Sequence, residues 1–166
     1  MTGFGQILSD LNRVGVRYVL VGGIALIRHG VVRMTRDIDV VLEPGDDNIE
    51  RVRALIAEWG ATRPDGSPVV AGAIAAGKSI HLATPHGHID LLAEQASPLT
   101  FAELLARADA RRVDGVEAPI CSLGDLVALK RIASRERDLA DLSELEAAHG
   151  ELPDSRHSEA PRFRGG

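Results

Sequence analysis

The chain has 166 residues, of which 45% are apolar and 26% are charged. With 19 basic against 24 acidic residues, the formal net charge of −5 gives no overall signature of a nucleic-acid-binding protein, so any polyanion site must be local. Because no apolar run approaches the roughly 20 residues that span a bilayer and no basic leader opens the chain, we expect a cytoplasmic protein without membrane contact. The single cysteine, Cys121, excludes an internal disulfide and a cysteine-based zinc cluster, and it is more simply a buried apolar residue than a catalytic thiol.

Apolar periodicity in the first half of the chain alternates between helix and strand patterns. Helical spacing of apolar residues predicts amphipathic helices, and short β-branched runs that end at glycine or proline predict strands. The elements predicted here are a helix at 4–14, a strand at 17–21, a helix at 24–29, a strand at 37–42 and a helix at 49–59.

The second half predicts two hairpins followed by two helices. Strands at 79–84 and 88–92 flank Pro85-His86-Gly87, and a tighter hairpin turns at Asp114-Gly115. A capping box from Ser122 to Asp125 predicts a helix that ends near 133, and a further helix covers about 137–148. The chain has no internal repeat or dividing linker, so we expect one domain at 1–150, with its C-terminal helices from about 122, and a disordered tail at 151–166.

Two aspartates interrupt the apolar strand at 37–42. Because strand side chains alternate faces, Asp37 and Asp39 point the same way, while Ile38 and Val40 point to the opposite layer. Asp90 is the single acid of another apolar strand, and burying such carboxylates without a counter-charge costs several kcal/mol. Three convergent carboxylates would suit Mg²⁺, which takes oxygen ligands and completes its shell with substrate phosphates.

The turn before the second helix fits a phosphate. With no side chain at Gly22 or Gly23, a phosphate can approach the backbone, and the free N–H groups that open the next helix favour negative charge. The sequence thus predicts a site for a metal ion together with substrate phosphates.

These residues resemble the signature of the polymerase-β-like nucleotidyltransferases. Its elements are a hydrophobic strand, Gly22-Gly23, a short helix, Asp37-Ile38-Asp39 and a later Asp90. The stretches HGVVRMTRD (29–37) and DLVALKR (125–131), with Asp138 downstream, are similar to those of small bacterial members related to abortive-infection and toxin–antitoxin nucleotidyltransferases. The resemblance covers residues 17–145.

The resemblance implies a fold, a reaction and a set of site residues. The fold would be an α/β (α+β) nucleotidyltransferase fold, with a mixed sheet flanked by helices and a C-terminal helical segment. The reaction would use an NTP and two Mg²⁺ ions. The implied catalytic and metal-binding residues are Asp37, Asp39 and Asp90, and the implied nucleotide-binding residues are Gly22, Gly23, Arg33, Thr35, Lys130 and Asp138. Gly23 stands where many members carry Ser, so one hydroxyl contact to the nucleotide's terminal phosphate is missing.

Several of these residues also have ordinary structural explanations. Lys130 could be a solvated position of an amphipathic helix, and Asp138 fits a helix N-cap equally well. Arg33 and Arg36 flank the acids and could bind phosphate or an RNA backbone, or pair with carboxylates.

Two further patterns point to other sites. Residues 72–79 match the P-loop pattern G-x-x-x-x-G-K-[ST], but proline and glycine soon afterwards leave no room for the helix that a P-loop requires. His81, His86 and His88 with Asp90 could bind zinc, although exposed histidines of a hairpin are the commoner explanation.

The acceptor of the nucleotide does not follow from these residues, because one fold serves many acceptors. The resemblance favours a toxin that modifies tRNA, and a cognate antitoxin would be its protein partner. The alternatives are a protein-nucleotidylating antitoxin and a catalytically idle binding partner with the same fold. Arginines that could form an RNA track, or could be ordinary solvated residues, are those at 107, 111, 112, 131, 135 and 137.

Overall fold

The computed structural model of the chain describes residues 3–70, 72–75 and 79–154. Gly77 and Lys78 of the P-loop match lie outside the described residues, as does the part of the predicted tail at 155–166. Beyond Ser79 the chain continues as a strand at Ile80–Thr84, where a P-loop requires a helix. The predicted division into a domain at 1–150 and a disordered tail stays a prediction.

The described part of the chain forms seven helices and six strands. The helices are α1 (Gly3–Arg13), α2 (Gly22–Arg28), α3 (Asp46–Trp59), α4 (Gly72–Ala75), α5 (Phe101–Arg107), α6 (Leu123–Ala133) and α7 (Glu136–His149). The strands are β1 (Tyr18–Val21), β2 (Asp37–Leu42), β3 (Ile80–Thr84), β4 (Gly87–Leu92), β5 (Asp109–Val113) and β6 (Val116–Ile120). The α/β prediction is confirmed, and each predicted helix and strand is present with small shifts at its ends.

The six strands form one mixed sheet in the order β3-β4-β2-β1-β6-β5. β1 pairs antiparallel with β2, whereas β2 pairs parallel with β4 and β1 pairs parallel with β6. The two hairpins, β3–β4 and β5–β6, therefore lie at opposite edges of the sheet. The central strand β1 is buried along its whole length, which explains its uninterrupted apolar sequence YVLV.

Helices cover both faces of the sheet. On one side α1 packs against α3 and contacts β4 and β6; elsewhere α2 contacts β1, β2 and α6, and α6 packs on α7. Ile38 and Val40 of β2 are completely buried, as the period-2 pattern predicts for side chains on the face opposite the aspartates.

Two local details differ from the sequence prediction. Ser122 caps α6 by accepting a hydrogen bond from the Asp125 N–H, but the Asp125 carboxylate pairs with Arg107 and does not complete a capping box. The helix α5 was not predicted, although Thr100 and Glu103 form a full capping box at its start. That Thr-x-x-Glu spacing was the available signal. Among the described residues, no helix is long and apolar enough to cross a membrane.

Candidate active site

The predicted carboxylates converge on one face of the sheet. Asp39 of β2 lies directly beside Asp90 of β4 in the parallel register, and Asp37 lies beside His88. Because directly paired residues of neighbouring strands share a face, Asp37, Asp39 and Asp90 point to the same side. We call these three residues the acid face.

The charged side chains that contact the acid face, among the described residues, are histidines. Within the described residues, no lysine or arginine forms an ion pair with any of its three carboxylates; the contacts are with His81 and His88. Burial raises the pKa of Asp39, a hydrogen bond from the Gly23 N–H opposes the rise, and the nearby Asp37 charge adds to it. Asp90 Oδ1 is buried and makes no hydrogen bond. An uncompensated group of carboxylates of this kind suits a bound cation.

The Gly-Gly turn fits closely against the acid face. Gly22 has a positive φ of 62°, and a Cβ at this position would lie 2.1 Å from Asp39 Oδ2. The neighbouring Gly23 N–H donates a hydrogen bond of 3.4 Å to the same oxygen. Both the backbone conformation and the carboxylate therefore require glycine at position 22.

Thr35 occupies the space beside Gly23. A Cβ on Gly23 would lie 2.5 Å from Thr35 Oγ1, so a side chain at position 23 would displace the threonine hydroxyl. That hydroxyl donates a hydrogen bond of 3.1 Å to the Asp37 carbonyl oxygen. The Thr35 hydroxyl thus lies where a serine at position 23 would place its own side chain.

A second group of charges lies on α6, α7 and the loop before β2. Lys130 Nζ donates to Asp138 Oδ1 at 3.1 Å and to Asp141 Oδ2 at 2.7 Å. Arg33 pairs with Asp141 at 2.5 Å, and Arg135 pairs with Asp138 at 2.8 Å. We call these five residues the α6–α7 charge cluster. It is buried at its centre, since Lys130, Asp138 and Asp141 expose 11%, 1% and 4% of their side chains.

The cluster decides between several alternatives left open by the sequence. Lys130 is not a solvated helix position, and Asp138 is not the N-cap of α7, because that position belongs to Arg135. Burial alone would raise the pKa of Asp138, but hydrogen bonds from Arg135 and Lys130 outweigh it and lower that pKa. Arg33 pairs with a carboxylate, and Arg36 is exposed.

A cavity of about 370 Å³ separates the acid face from the α6–α7 charge cluster. It brings together every predicted site residue except Arg33. The predicted residues that line it are Gly22, Gly23, Thr35, Asp37, Asp39, Asp90, Lys130 and Asp138. Arg135 and Arg137 also line it, so its cationic wall is more extensive than the predicted set.

The family model of the nucleotidyl transferase AbiEii toxins of type IV toxin–antitoxin systems matches residues 6–162. The chain belongs to this family. It is accordingly a nucleotidyltransferase, and the predicted membership of the polymerase-β-like superfamily is confirmed. No curated protein sequence matches the chain.

Solved structures similar to this AbiEii-family chain share its nucleotidyltransferase fold. An antigenic nucleotidyltransferase-like protein from Paracoccidioides brasiliensis is 14% identical, with a TM-score of 0.59 over 87% of this chain and 72% of that one. The lincomycin-bound lincosamide antibiotic adenylyltransferase LnuA is 13% identical, with a TM-score of 0.57 over 88% and 96% of the two chains. The antibiotic-resistance factor ANT(2'')-Ia is 11% identical, with a TM-score of 0.56 over 89% and 83%. The predicted fold class is confirmed.

Sequence reasoning missed two contributions to the site of this AbiEii-family chain. Asp141 was not singled out, although it follows Asp138 by three residues and so shares its helix face. For His81 and His88 the sequence allowed a zinc site with Asp90 but favoured ordinary exposed histidines, and it did not include Asp37; one ring nitrogen of each lies within 4.8 Å of the other and of an Asp37 carboxylate oxygen. The spacing of the two histidines along the hairpin was visible in the sequence, but the approach of Asp37 depends on the register between β2 and β4.

Proposed function

We propose that this chain transfers a nucleoside monophosphate from an NTP to a tRNA hydroxyl in a metal-dependent reaction, and that it acts as the toxin of a toxin–antitoxin pair. One observation carries the catalytic part of the proposal. Three carboxylates without a lysine or arginine partner, among the described residues, face a cavity whose opposite wall contains Lys130. Such a cavity suits a metal on one side and phosphates on the other.

Asp37, Asp39 and Asp90 would hold the metal. They offer the oxygen ligands that Mg²⁺ prefers, and the raised pKa of Asp39 fits a missing positive charge. When bound, two Mg²⁺ ions supply neutralisation of the triphosphate and a lowered pKa of the acceptor hydroxyl. A buried carboxylate is costly without such a partner, so these acids are better suited to catalysis than to stability.

The phosphates would lie between the Gly-Gly turn and Lys130. Gly22 and Gly23 line the cavity and carry no side chain that would fill it, and the Thr35 hydroxyl supplies the polar group that Gly23 lacks. Lys130 has three N–H donors, two of which the Asp138 and Asp141 carboxylates accept, so one donor is available for a phosphate oxygen. Arg135 and Arg137 add positive charge at the same wall.

The reaction exchanges a phosphoanhydride bond of the NTP for a phosphoester bond to the acceptor. The acceptor oxygen attacks the α-phosphorus of the NTP, an O–P bond forms, and the bond from that phosphorus to the β-phosphate oxygen breaks. Pyrophosphate leaves, and the hydroxyl proton passes to a carboxylate. Asp90 is our candidate for this base, since it lies beside Asp39 and lines the same cavity.

Exposed arginines near the cavity support tRNA as the acceptor. Arg131, Arg135 and Arg137 lie in an exposed stretch at 131–137, which includes the turn between α6 and α7, and two of them line the cavity. Arg111 and Arg112 are exposed on β5. By contrast, Arg107 pairs with the buried Asp125, so its charge is already compensated within the fold. Arg111 and Arg135 are paired in the same way, with Asp109 and Asp138, so we confine the proposed RNA track to Arg112, Arg131 and Arg137.

The decisive experiment is label transfer. The full chain is incubated with each α-labelled NTP, Mg²⁺ and, in separate arms, total tRNA, cell lysate protein and an aminoglycoside. We expect labelled tRNA from the wild type and no label from the Asp39→Asn variant, whose carboxamide is a poor metal ligand. Arg63→Gln, exposed and outside both the cavity and the arginine track, is the matched variant that should still label. Labelling of protein with no labelling of tRNA would replace the toxin proposal with a nucleotidylating antitoxin.

Salt dependence gives a second test of the acceptor. If several arginines neutralise tRNA phosphates, the logarithm of tRNA affinity should fall with the logarithm of salt concentration by about 0.7 to 0.9 per contact. NTP affinity should fall far less, because the proposed NTP site is partly enclosed and metal-assisted. A tRNA affinity that salt does not change would contradict the arginine track.

A further inference from the structure

We infer that Asp37, His81 and His88 form a binding site for a divalent transition-metal ion of the Mn²⁺-to-Zn²⁺ class, next to the three carboxylates of the acid face. The inference deepens the proposed function, on which it rests for the second role of Asp37. It concerns the kind of ion that the side chains beside the acid face select, at a site next to the one proposed for Mg²⁺.

The strand register places the three side chains together. His88 of β4 lies beside Asp37 of β2, and His81 of β3 lies beside Asp90 of β4. All four positions therefore share the face of the sheet that carries the acids. Since His88 and Asp90 are two residues apart on β4, the two histidines are diagonal neighbours, with ring centroids 5.7 Å apart.

The ligand atoms are close enough for one ion. One ring nitrogen of each histidine and one Asp37 carboxylate oxygen all lie within 4.8 Å of one another. With bonds of about 2.1 Å, ligands around one ion are separated by roughly 3.0 to 3.4 Å, so small rotations would complete the site. Those rotations are open, because the side chains of Asp37, His81 and His88 are 39%, 41% and 47% exposed.

The ligand types determine the class of ion. Mg²⁺ takes oxygen ligands almost exclusively, whereas imidazole nitrogen suits zinc, iron, nickel, copper and related ions. Two imidazoles and one carboxylate also leave coordination positions open for water or substrate. A site of this composition should therefore bind transition ions in the order Mn²⁺ below Co²⁺ below Zn²⁺, and all of them more tightly than Mg²⁺.

Asp90 supports the histidine site from the neighbouring strand position. Its Oδ1 contacts Nδ1 of His81, so the carboxylate lies against this ring on the acid face. Histidines that bind metals commonly have a carboxylate on the ring in this way, which fixes ring orientation and raises the basicity of the ligand. A surface histidine of a hairpin needs no such partner.

The test is Co²⁺ binding by the full chain without NTP, followed by visible absorption and by calorimetric titration. We expect one Co²⁺ per chain at this site, with affinity reduced at least tenfold in His81→Gln and in His88→Gln. His86→Ala, in the turn of the same hairpin, is the matched control and should bind like the wild type. A hundredfold excess of Mg²⁺ should leave most of the Co²⁺ bound.

A second readout identifies the ligands directly. Zn²⁺ titration should shift the ring ¹⁵N resonances of His81 and His88 and leave those of His86 unchanged. The inference is overturned if both glutamine variants keep Co²⁺ affinity within twofold of the wild type, or if equimolar Mg²⁺ displaces the ion. Asp39→Asn separates the two proposals, because it should retain Co²⁺ while losing nucleotidyl transfer. Co²⁺ binding by a wild type that transfers no nucleotide would uphold the site and refute the proposed reaction.

Discussion

The charges on the two walls of the cavity are compensated in different ways. The acid face has three carboxylates and, among the described residues, no lysine or arginine partner. The α6–α7 charge cluster has three cations and two carboxylates, all joined by ion pairs. Within the described residues, the carboxylates of one wall therefore lack a lysine or arginine partner, and the charges of the other wall are paired with one another.

This difference in ion pairing indicates which charges contribute to stability and which to function. Removing one partner from a buried ion-pair network leaves an uncompensated charge, which is strongly destabilising. Removing one of several carboxylates that repel each other should instead raise the free energy of unfolding. A charged residue at a cavity can thus be essential for two different reasons, and stability measurements separate them.

Lys130→Met should have the largest effect on stability. The substitution leaves Asp138 and Asp141, which are almost wholly buried, with only their peripheral arginines. We expect the free energy of unfolding in urea to fall by about 3 to 5 kcal/mol. Arg131→Met, at the next and exposed position of α6, should change it by no more than about 0.5 kcal/mol.

This result would also revise how a loss of nucleotide binding in Lys130 variants is interpreted. A Lys130 variant loses ion pairs that stabilise the fold as well as the proposed phosphate ligand. Its NTP affinity must therefore be measured under conditions in which the variant is folded. Equal stability of the Lys130 and Arg131 variants would mean that the ion pairs of the cluster make no net contribution to the free energy of unfolding.

Gly23→Ala tests the tight packing beside the acid face. The new Cβ would lie 2.5 Å from Thr35 Oγ1, and overpacking of this kind costs about 1 to 3 kcal/mol. Because the clash is mainly with the hydroxyl, the same substitution should cost less in a Thr35→Ala background. Double-mutant cycles by chemical denaturation measure that coupling.

Gly124→Ala supplies the matched control for this cycle. Gly124 lies in the first turn of α6, and a Cβ there meets nothing within 4 Å. Alanine should therefore be neutral or should stabilise the helix by up to about 1 kcal/mol. Additive costs for Gly23→Ala and Thr35→Ala would contradict the contact between them.

Asp39→Asn should have the smallest effect on stability and the opposite sign. Burial raises the pKa of Asp39 above the ordinary value of an aspartate, so the folded protein holds this proton more tightly than the unfolded chain does. Ionised Asp39 therefore costs stability above its folded pKa, and that cost fades as pH falls toward 3.8. In EDTA, the variant should melt at a higher temperature than the wild type at pH 7.

The gain in melting temperature should shrink as pH is lowered below the folded pKa. Adding Mg²⁺ should stabilise the wild type and leave the variant nearly unchanged, because ions that bind only the folded state raise its stability. A variant that is less stable than the wild type in EDTA at pH 7 would show that Asp39 is paired within the fold.

Period-2 alternation was enough to predict the shared face of Asp37 and Asp39, since it needs no knowledge of neighbouring strands. The order Gly-Gly, Asp-x-Asp and Asp90 was equally local, and the residues meet at one cavity as the resemblance implied. The approach of the histidines to Asp37 was beyond such reasoning. It depends on a parallel register between strands that are separated by about fifty residues.

Lys130 illustrates a different limit. Its helix spacing suggested either a solvated position or a phosphate ligand, because both alternatives considered only its own helix. The structure adds carboxylates from α7 and an arginine from the loop before β2, which together bury it. Tertiary contacts of that kind leave no periodic trace in a single sequence, although the Asp138–Asp141 spacing indicated one helix face with two acids.

The order in which the two walls appear along the chain has a consequence for its synthesis. The acid face is complete at Asp90, but the cationic wall needs Lys130, Asp138 and Asp141. At translation rates of about 5 to 20 residues per second, roughly 3 to 10 s separate Asp90 from Asp141. A nascent chain therefore carries the three carboxylates of the acid face well before it has the cationic wall, and the assembled cavity arises only when nearly all of the described chain has been made.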